Sequence, residues 1–332
     1  MDVITQGVIG AAAAQCGAPP ERLRVAALAG AVAGLLPDLD VLIRTPSDPL
    51  LFLEYHRHFT HSLFFIPVGA VLAAWLTRLL TRRRESVRDL LWPCLLGITT
   101  HGLLDAATSY GTLLLWPFSD ARIAWHVIAI VDPLFTLLLA LGVGLAAWKG
   151  RRGAARAGMA LALAYLGLGV VQLQRAETAQ AQLMADRGHV GERPQIKPSI
   201  GNNILYRAFY THEERYYVDA IRVPWFGEAK VYPGDHTPAL DLDAYIDRYA
   251  LDALRRADIA RFAHFSDGYL IEDPRSCGIL SDFRYAAVPD AIAPLWGIDV
   301  LGTPVGEHLE FHRWSKLSAA DRAHFTDMLR GR

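Results

Sequence analysis

From Ser62 to Leu80 the chain reads Ser-Leu-Phe-Phe-Ile-Pro-Val-Gly-Ala-Val-Leu-Ala-Ala-Trp-Leu-Thr-Arg-Leu-Leu, with Arg78 its one charged residue. As a helix rising 1.5 Å per residue, such a stretch is nearly long enough to cross a bilayer, and the arginine can snorkel at its end. A second span is expected from about Leu90 to Leu104, a third over residues 127–148, interrupted early by Asp132-Pro133, and a fourth over residues 155–173. Residues 3–15 are apolar but too short to span alone and predict a buried or membrane-embedded short helix. Residues 21–36 predict another helix that stops at Pro37, with Ala29, Gly30, Ala33 and Gly34 allowing close approach of a neighbour. The N-terminus lacks the basic region of a secretory signal and reads as retained structure.

The apolar excess ends near residue 175, and the rest of the chain is mixed, aromatic and charged. At 332 residues two units are expected. Residues 1–175 form a helical membrane domain, residues 176–190 a linker helix and residues 191–332 a soluble domain. The fold class is therefore mainly α, a multi-helix transmembrane bundle with a C-terminal soluble α/β, β-rich domain. In that domain strands are expected at 204–209, 216–223, 230–232, 268–271 and 282–288, and a helix over 241–262. A net charge of −1 gives no footprint for nucleic acid. Cys16, Cys94 and Cys277 are far apart in sequence and support neither a disulfide framework nor a zinc-thiolate site.

Polar clusters sit at the ends of the apolar stretches: Asp38-Leu39-Asp40, then His56-Arg57-His58-Phe59-Thr60-His61-Ser62, then His101-Gly102-Leu103-Leu104-Asp105. His58 and His61 are three apart and His101 and Asp105 four apart, so on a helix each pair shares a face. Asp38 and Asp40 flank Leu39 in what reads as an extended turn, where alternate side chains point the same way. Imidazoles and carboxylates without thiolates favour zinc, manganese or iron, and their number allows more than one ion. Taken singly, Asp132 and His126 read as caps or satisfied polar groups, and Asp38 with Asp40 are as well explained by a loop cap. The whole set favours metal, because ionisable groups at the ends of membrane segments are costly unless paired or functional. Arg57 suits a phosphate or carboxylate clamp or a snorkelling arginine, and Thr60 and Ser62 suit orienting and capping roles. The histidines beyond residue 188 are scattered and read as surface residues. Asp282-Phe283-Arg284-Tyr285 reads as a structural ion pair.

Basic residues set the orientation. Arg78, Arg82, Arg83, Arg84 and Arg88 lie between the first two spans, and Lys149, Arg151, Arg152 and Arg156 between the last two, so both connections are expected in the cytoplasm. The histidine run, His101, Asp105 and the C-terminal domain then share the opposite side.

Met1-Asp2 with Thr5-Gln6, Gly34-Leu35-Leu36-Pro37-Asp38-Leu39-Asp40, the run from His56 to Ser62, His101 to Asp105, and Tyr110-Gly111-Thr112 with Trp116-Pro117-Phe118-Ser119 together resemble the YdjM-type bacterial membrane-bound metal-dependent hydrolases. The resemblance covers roughly residues 1–150. It implies an inner-membrane protein with a metal centre at Asp38, Asp40, His56, His61, His101 and Asp105, and Gln6 stands where many members carry His. The expected activity is hydrolysis of an ester or phosphoester of a lipid or lipid-linked substrate by water that a divalent metal, zinc or manganese, activates. His58 is the expected general acid or base and Arg57 the anion clamp. The competing expectation is a metal-binding transporter or a membrane anchor for the C-terminal domain.

Overall fold

The computed structural model describes residues 1–314 and 316–332. The chain divides into two compact units, one of Met1–Leu42, Tyr55–Val171 and Ile200–Asn203, the other of Ile43–Glu54, Gln172–Ser199 and Ile204–Arg332.

The first unit begins with α1 (Val3–Gly17), which Asp2 caps by accepting from Thr5 N, and α2 (Leu23–Leu35), which follows the Pro19-Pro20 break. A 3-10 turn over Pro37–Leu42 then carries both aspartates, so the extended turn expected there is helical. The loop that Pro46, Ser47, Asp48 and Pro49 suggest over residues 41–54 is bounded by the end of that turn and by α3 (Leu51–Tyr55). Short 3-10 turns at Phe59–His61 and Leu63–Phe65 lead into α4 (Ile66–Leu80), followed by α5 (Val87–Ala107) and α6 (Pro133–Lys149). Asp132 caps α6 through Leu134 N and Phe135 N, the role its position before Pro133 suggests. Residues 127–132 are not helical, and α6 is accordingly shorter than the span expected there.

The chain then enters α7 (Arg152–Asp186), one helix of 35 residues. The expected span and the expected linker helix are parts of this single element, because neither Gly nor Pro interrupts the sequence from Val170 to Asp186. Among the described residues, three helical stretches are long and apolar enough to cross a membrane: Leu63–Leu80, Val87–Ala107 and Arg152–Asp186.

Small residues bring α1, α2 and α5 into backbone contact. A Cβ on Gly30 would lie 2.2 Å from the Gly10 carbonyl oxygen, and one on Gly97 would lie 2.5 Å from that of Gly30. Beside this crossing, Ala29 and Ala33 pack with Ala70, Ala73, Leu90, Cys94 and Ile98 of α4 and α5. The outer faces are apolar too, with Leu72, Trp75 and Leu79 on α4 and Leu137, Leu141 and Trp148 on α6 exposed.

In the second unit, α7 from Gln172 onward lies on an antiparallel sheet ordered β1 (Glu192–Pro198), β2 (Leu205–His212), β3 (Arg215–Arg222), β4 (Lys230–Pro238). Gln172 and Gln180 donate to the carbonyls of Val223 and Phe209, at 2.7 and 3.1 Å. The helix expected over 241–262 is two, α8 (Leu242–Arg248) and α9 (Ala253–Phe265), separated where Ala250 has φ 46° and Asp252 caps the second. A second antiparallel sheet comes next, β5 (Leu270–Glu272), β6 (Ile279–Asp282), β7 (Trp296–Asp299) and β8 (Glu310–Arg313), and α10 (Ala319–Arg330) ends the chain. The strand expected at 282–288 lies earlier, at β6. Arg284 instead turns back on Asp282 with bonds of 3.0 and 2.9 Å, a structural ion pair.

Candidate metal centre

Among the described residues, one group of His, Cys, Asp and Glu is close enough to hold a metal ion: Asp38, His61, His101 and Asp105. Three chain segments deliver it. Asp38 comes from the 3-10 turn after α2, His61 from the turn before α4, and His101 with Asp105 from one face of α5, four residues apart. Gly102 permits the meeting, since a Cβ there would lie 2.3 Å from the His61 carbonyl oxygen. A glycine directly after His101 is the one sequence signal that could have found this close approach.

His61 Nε2 lies 3.2 Å from Asp105 Oδ2 and 3.5 Å from Asp38 Oδ1, and His101 Nε2 lies 3.5 and 3.6 Å from the same two oxygens. Four ligands at about 2.0–2.1 Å from a tetrahedral zinc ion stand roughly 3.4 Å from one another. Each of the four residues carries a buried polar atom without a hydrogen bond: His61 Nε2, His101 Nε2, Asp105 Oδ2 and Asp38 Oδ2. Buried polar groups ordinarily find partners, so this concentration fits a cation as the shared partner. Asp38 is the most open of the four, its side chain 16% exposed, while the other three are buried.

The surroundings aim the ligands. His101 Nδ1 faces the Gly34 carbonyl at 2.6 Å and donates to it, which leaves Nε2 as the lone-pair nitrogen facing the cluster. His61 Nδ1 faces Asp40 Oδ2 at 3.3 Å and Thr60 Oγ1 at 3.0 Å. The Asp40 carboxylate also accepts from the Arg57 backbone N–H at 2.9 Å and from Thr60 Oγ1 at 3.1 Å, and His56 Nδ1 lies 2.9 Å from its other oxygen. Asp40 and His56 therefore stand outside the group of four, Asp40 behind His61 as its orienting carboxylate. Two residues apart in a 3-10 turn, side chains point about 120° away from each other rather than sharing a direction, which separates Asp38 from Asp40. Ser62 caps the following turn by accepting from Phe65 N.

Arg57 is buried, with a left-handed backbone at φ 64°. Its guanidinium lies 3.3 Å from Asp105 Oδ1, donates to Thr108 Oγ1 at 3.0 Å and sits over the Tyr110 ring. Gln6, fully buried in α1, donates from Nε2 to Asp105 Oδ1 at 3.0 Å, and the Met1 nitrogen also contacts that oxygen. Asp105 thus turns one oxygen to these donors and the other to the cluster. The His58 ring packs among Tyr55, Phe59 and Trp116. The Gly34 carbonyl, Gly102 and Thr108 were not singled out in the sequence; a backbone acceptor leaves no residue-type signature.

The pocket attracts positive charge. Burial by itself would lower the pKa of His61, but Asp105, Asp38 and Asp40 outweigh it and push it up to about 10. Burial would raise the carboxyl pKa of Asp38 and of Asp40, yet the neighbouring imidazoles bring both below the usual range.

The family model described as YdjM inner membrane protein matches residues 1–176. The inner membrane protein YbcI of Escherichia coli (strain K12) is 35% identical over 120 residues, which cover 34% of this chain and 64% of that protein. The uncharacterized protein YfhP of Bacillus subtilis (strain 168) is 29% identical over 109 residues, 33% of this chain and 32% of that protein. The chain therefore spans less than two thirds of the length of either relative. No solved structure matches.

Proposed function

The chain belongs to the YdjM inner membrane protein family, and from that membership we propose that it is a metal-dependent hydrolase of the bacterial inner membrane, cleaving an ester or phosphoester of a lipid or lipid-linked substrate. The observation that carries this reading is the convergence of buried, unbonded ligand atoms from Asp38, His61, His101 and Asp105. Three helices of spanning length, with apolar residues on their outer as well as inner faces, support a bundle in the bilayer. The arginines between α4 and α5 and the basic residues around Gly150 favour cytoplasmic connections at both places. On that topology Asp38, His61, the end of α5 and the C-terminal region face the non-cytoplasmic side, at headgroup depth.

Asp38, Asp105, His61 and His101 would hold the ion, with Asp40 and the Gly34 carbonyl fixing the two imidazole tautomers. The ligand set of two imidazoles and two carboxylates suits a divalent ion, zinc or manganese. When bound, it supplies Lewis acidity that lowers the pKa of a water toward ~7 and stabilises charge developing on the substrate oxygen. Arg57, committed to Asp105 and Thr108, acts here as charge balance. His58 is the candidate proton carrier, an imidazole of the run that, like His56, lies outside the group of four.

Metal analysis of the purified full chain should find one zinc or manganese per protein, lost in His61→Ala and Asp105→Ala. Phosphatase and lipase substrate panels, with and without chelator, test the chemistry. Metal content unchanged by both substitutions overturns the site; metal present with no ester turned over, chelator or not, overturns the hydrolase.

A further inference from the structure

Residues 43–54 connect the turn bearing Asp38 and Asp40 to the stretch bearing His56 and His61, and they belong to the second unit. Within that unit the connector is held firmly. Phe52 packs edge-on against Phe311 with ring centroids 5.1 Å apart. Arg261 of α9 grips it at two points. Its two terminal nitrogens donate to the two oxygens of Asp48 at 3.1 and 2.9 Å, while Nε donates to Glu54. The guanidinium is itself aimed by Asp258 at 2.9 Å, and that buried carboxylate also receives the Leu309 N–H at 2.9 Å and faces His308 Nδ1 at 3.0 Å. One planar fork thus serves three carboxylates, a geometry that a lysine cannot reproduce.

Isolated ion pairs at a surface contribute little, but position matters more here than energy. Asp48 lies midway along the connector and Glu54 is its last residue, adjoining Tyr55 and His56. Metal ligands have to be held within roughly 0.5 Å of their working geometry. Asp40 already ties the two segments through the Arg57 N–H and the Thr60 hydroxyl, and a loose connector would leave that tie to hold their spacing alone.

We infer that Arg261 is a positioning residue for the metal centre: by pinning Asp48 and Glu54 it fixes the spacing between the Asp38–Asp40 turn and the His56–His61 stretch. The inference rests on the metal-centre reading above. It gives the C-terminal unit a role in metal affinity, although that unit contributes none of the four ligands.

Zinc affinity of the full-length protein in detergent micelles, measured by competition with a chromophoric chelator, tests this. Partners that hydrogen-bond a ligand directly change metal affinity by about 10–100-fold, so a residue acting one step further out should weaken it by about tenfold. That loss is expected in Arg261→Gln and in the double variant Asp48→Asn/Glu54→Gln, with Arg261→Lys in between. The double variant keeps the Arg261–Asp258 pair and decides the question if Arg261→Gln misfolds. Wild-type zinc affinity in either folded protein overturns the inference. Equal binding by wild type and His61→Ala would instead overturn the metal centre itself, which separates the two failures.

Discussion

Replacing Gly30 by alanine adds one methyl group, at a residue that is not itself a ligand, and should nevertheless weaken metal binding. The new Cβ would lie 2.2 Å from the Gly10 carbonyl oxygen and 2.5 Å from the Ala14 Cβ, both on α1. Reaching ordinary contact requires α1 to retreat from α2 by about 1 Å. α1 carries Gln6, whose 3.0 Å bond to Asp105 would break under that shift, while α2 carries Gly34, whose carbonyl holds His101 Nδ1 at 2.6 Å. Metal–ligand distances tolerate only about 0.2 Å. Gly30→Ala is therefore expected to lose ~1–3 kcal/mol of stability from overpacking and about 10-fold or more in metal affinity. Gly144→Ala in α6 is the control: its Cβ would meet nothing within 4 Å, so unchanged or slightly raised stability is expected. Thermal unfolding with chelator competition on both variants makes the measurement. A Gly30→Ala protein with wild-type melting temperature and zinc affinity would show that the three-helix crossing does not set the ligand geometry.

Asp40→Asn should keep all four ligands yet weaken metal binding by about 10–100-fold, because His61 Nδ1 loses its carboxylate; equal affinity in a competition titration would place Asp40 outside the site's machinery. Gln6→Ala removes the donor to Asp105 Oδ1 and should cost about 1 kcal/mol of stability, with a fall in metal content measured on the purified protein. For Asp48, burial acts to raise the pKa, but Arg261 outweighs it and holds the carboxyl below its usual 3.8. A lowered folded pKa gives stability that is present above the unfolded value and lost as pH falls through the folded one. Below about pH 4, unfolding monitored by circular dichroism should therefore show wild type losing stability faster than Asp48→Asn.

The residues that carry chemistry were legible because their types are conspicuous in apolar surroundings: Asp38, His61, His101 and Asp105 stood at segment ends where a charge needs a reason. Which carboxylate of the Asp38–Asp40 pair faces the cluster was not legible, since it turns on whether the backbone between them is extended or 3-10. The small face of α2 was visible as Ala29, Gly30, Ala33 and Gly34, whereas the use of Gly34's own carbonyl depends on a helix far along the chain. In the second unit β2 and β3, long and rich in aromatic and β-branched residues, were placed within a few residues. β7 and β8 were not, because four-residue strands carry too little alternation to stand out. The division between α8 and α9 went unseen although Asp252 is a good N-cap, since Leu242 to Phe262 keeps apolar residues at helical intervals across the break.

The wide separation of the ligands along the chain has one more consequence. An ion joining Asp38 to Asp105 closes a loop of roughly 70 residues, and a covalent cross-link over that length would take ~4 kcal/mol of entropy from the unfolded chain. The ion would thus act as a removable staple across α2 and α5, giving the helical unit two mechanical states, fastened and unfastened. Which one a cell contains would then depend on the supply of free metal at the site's side of the membrane.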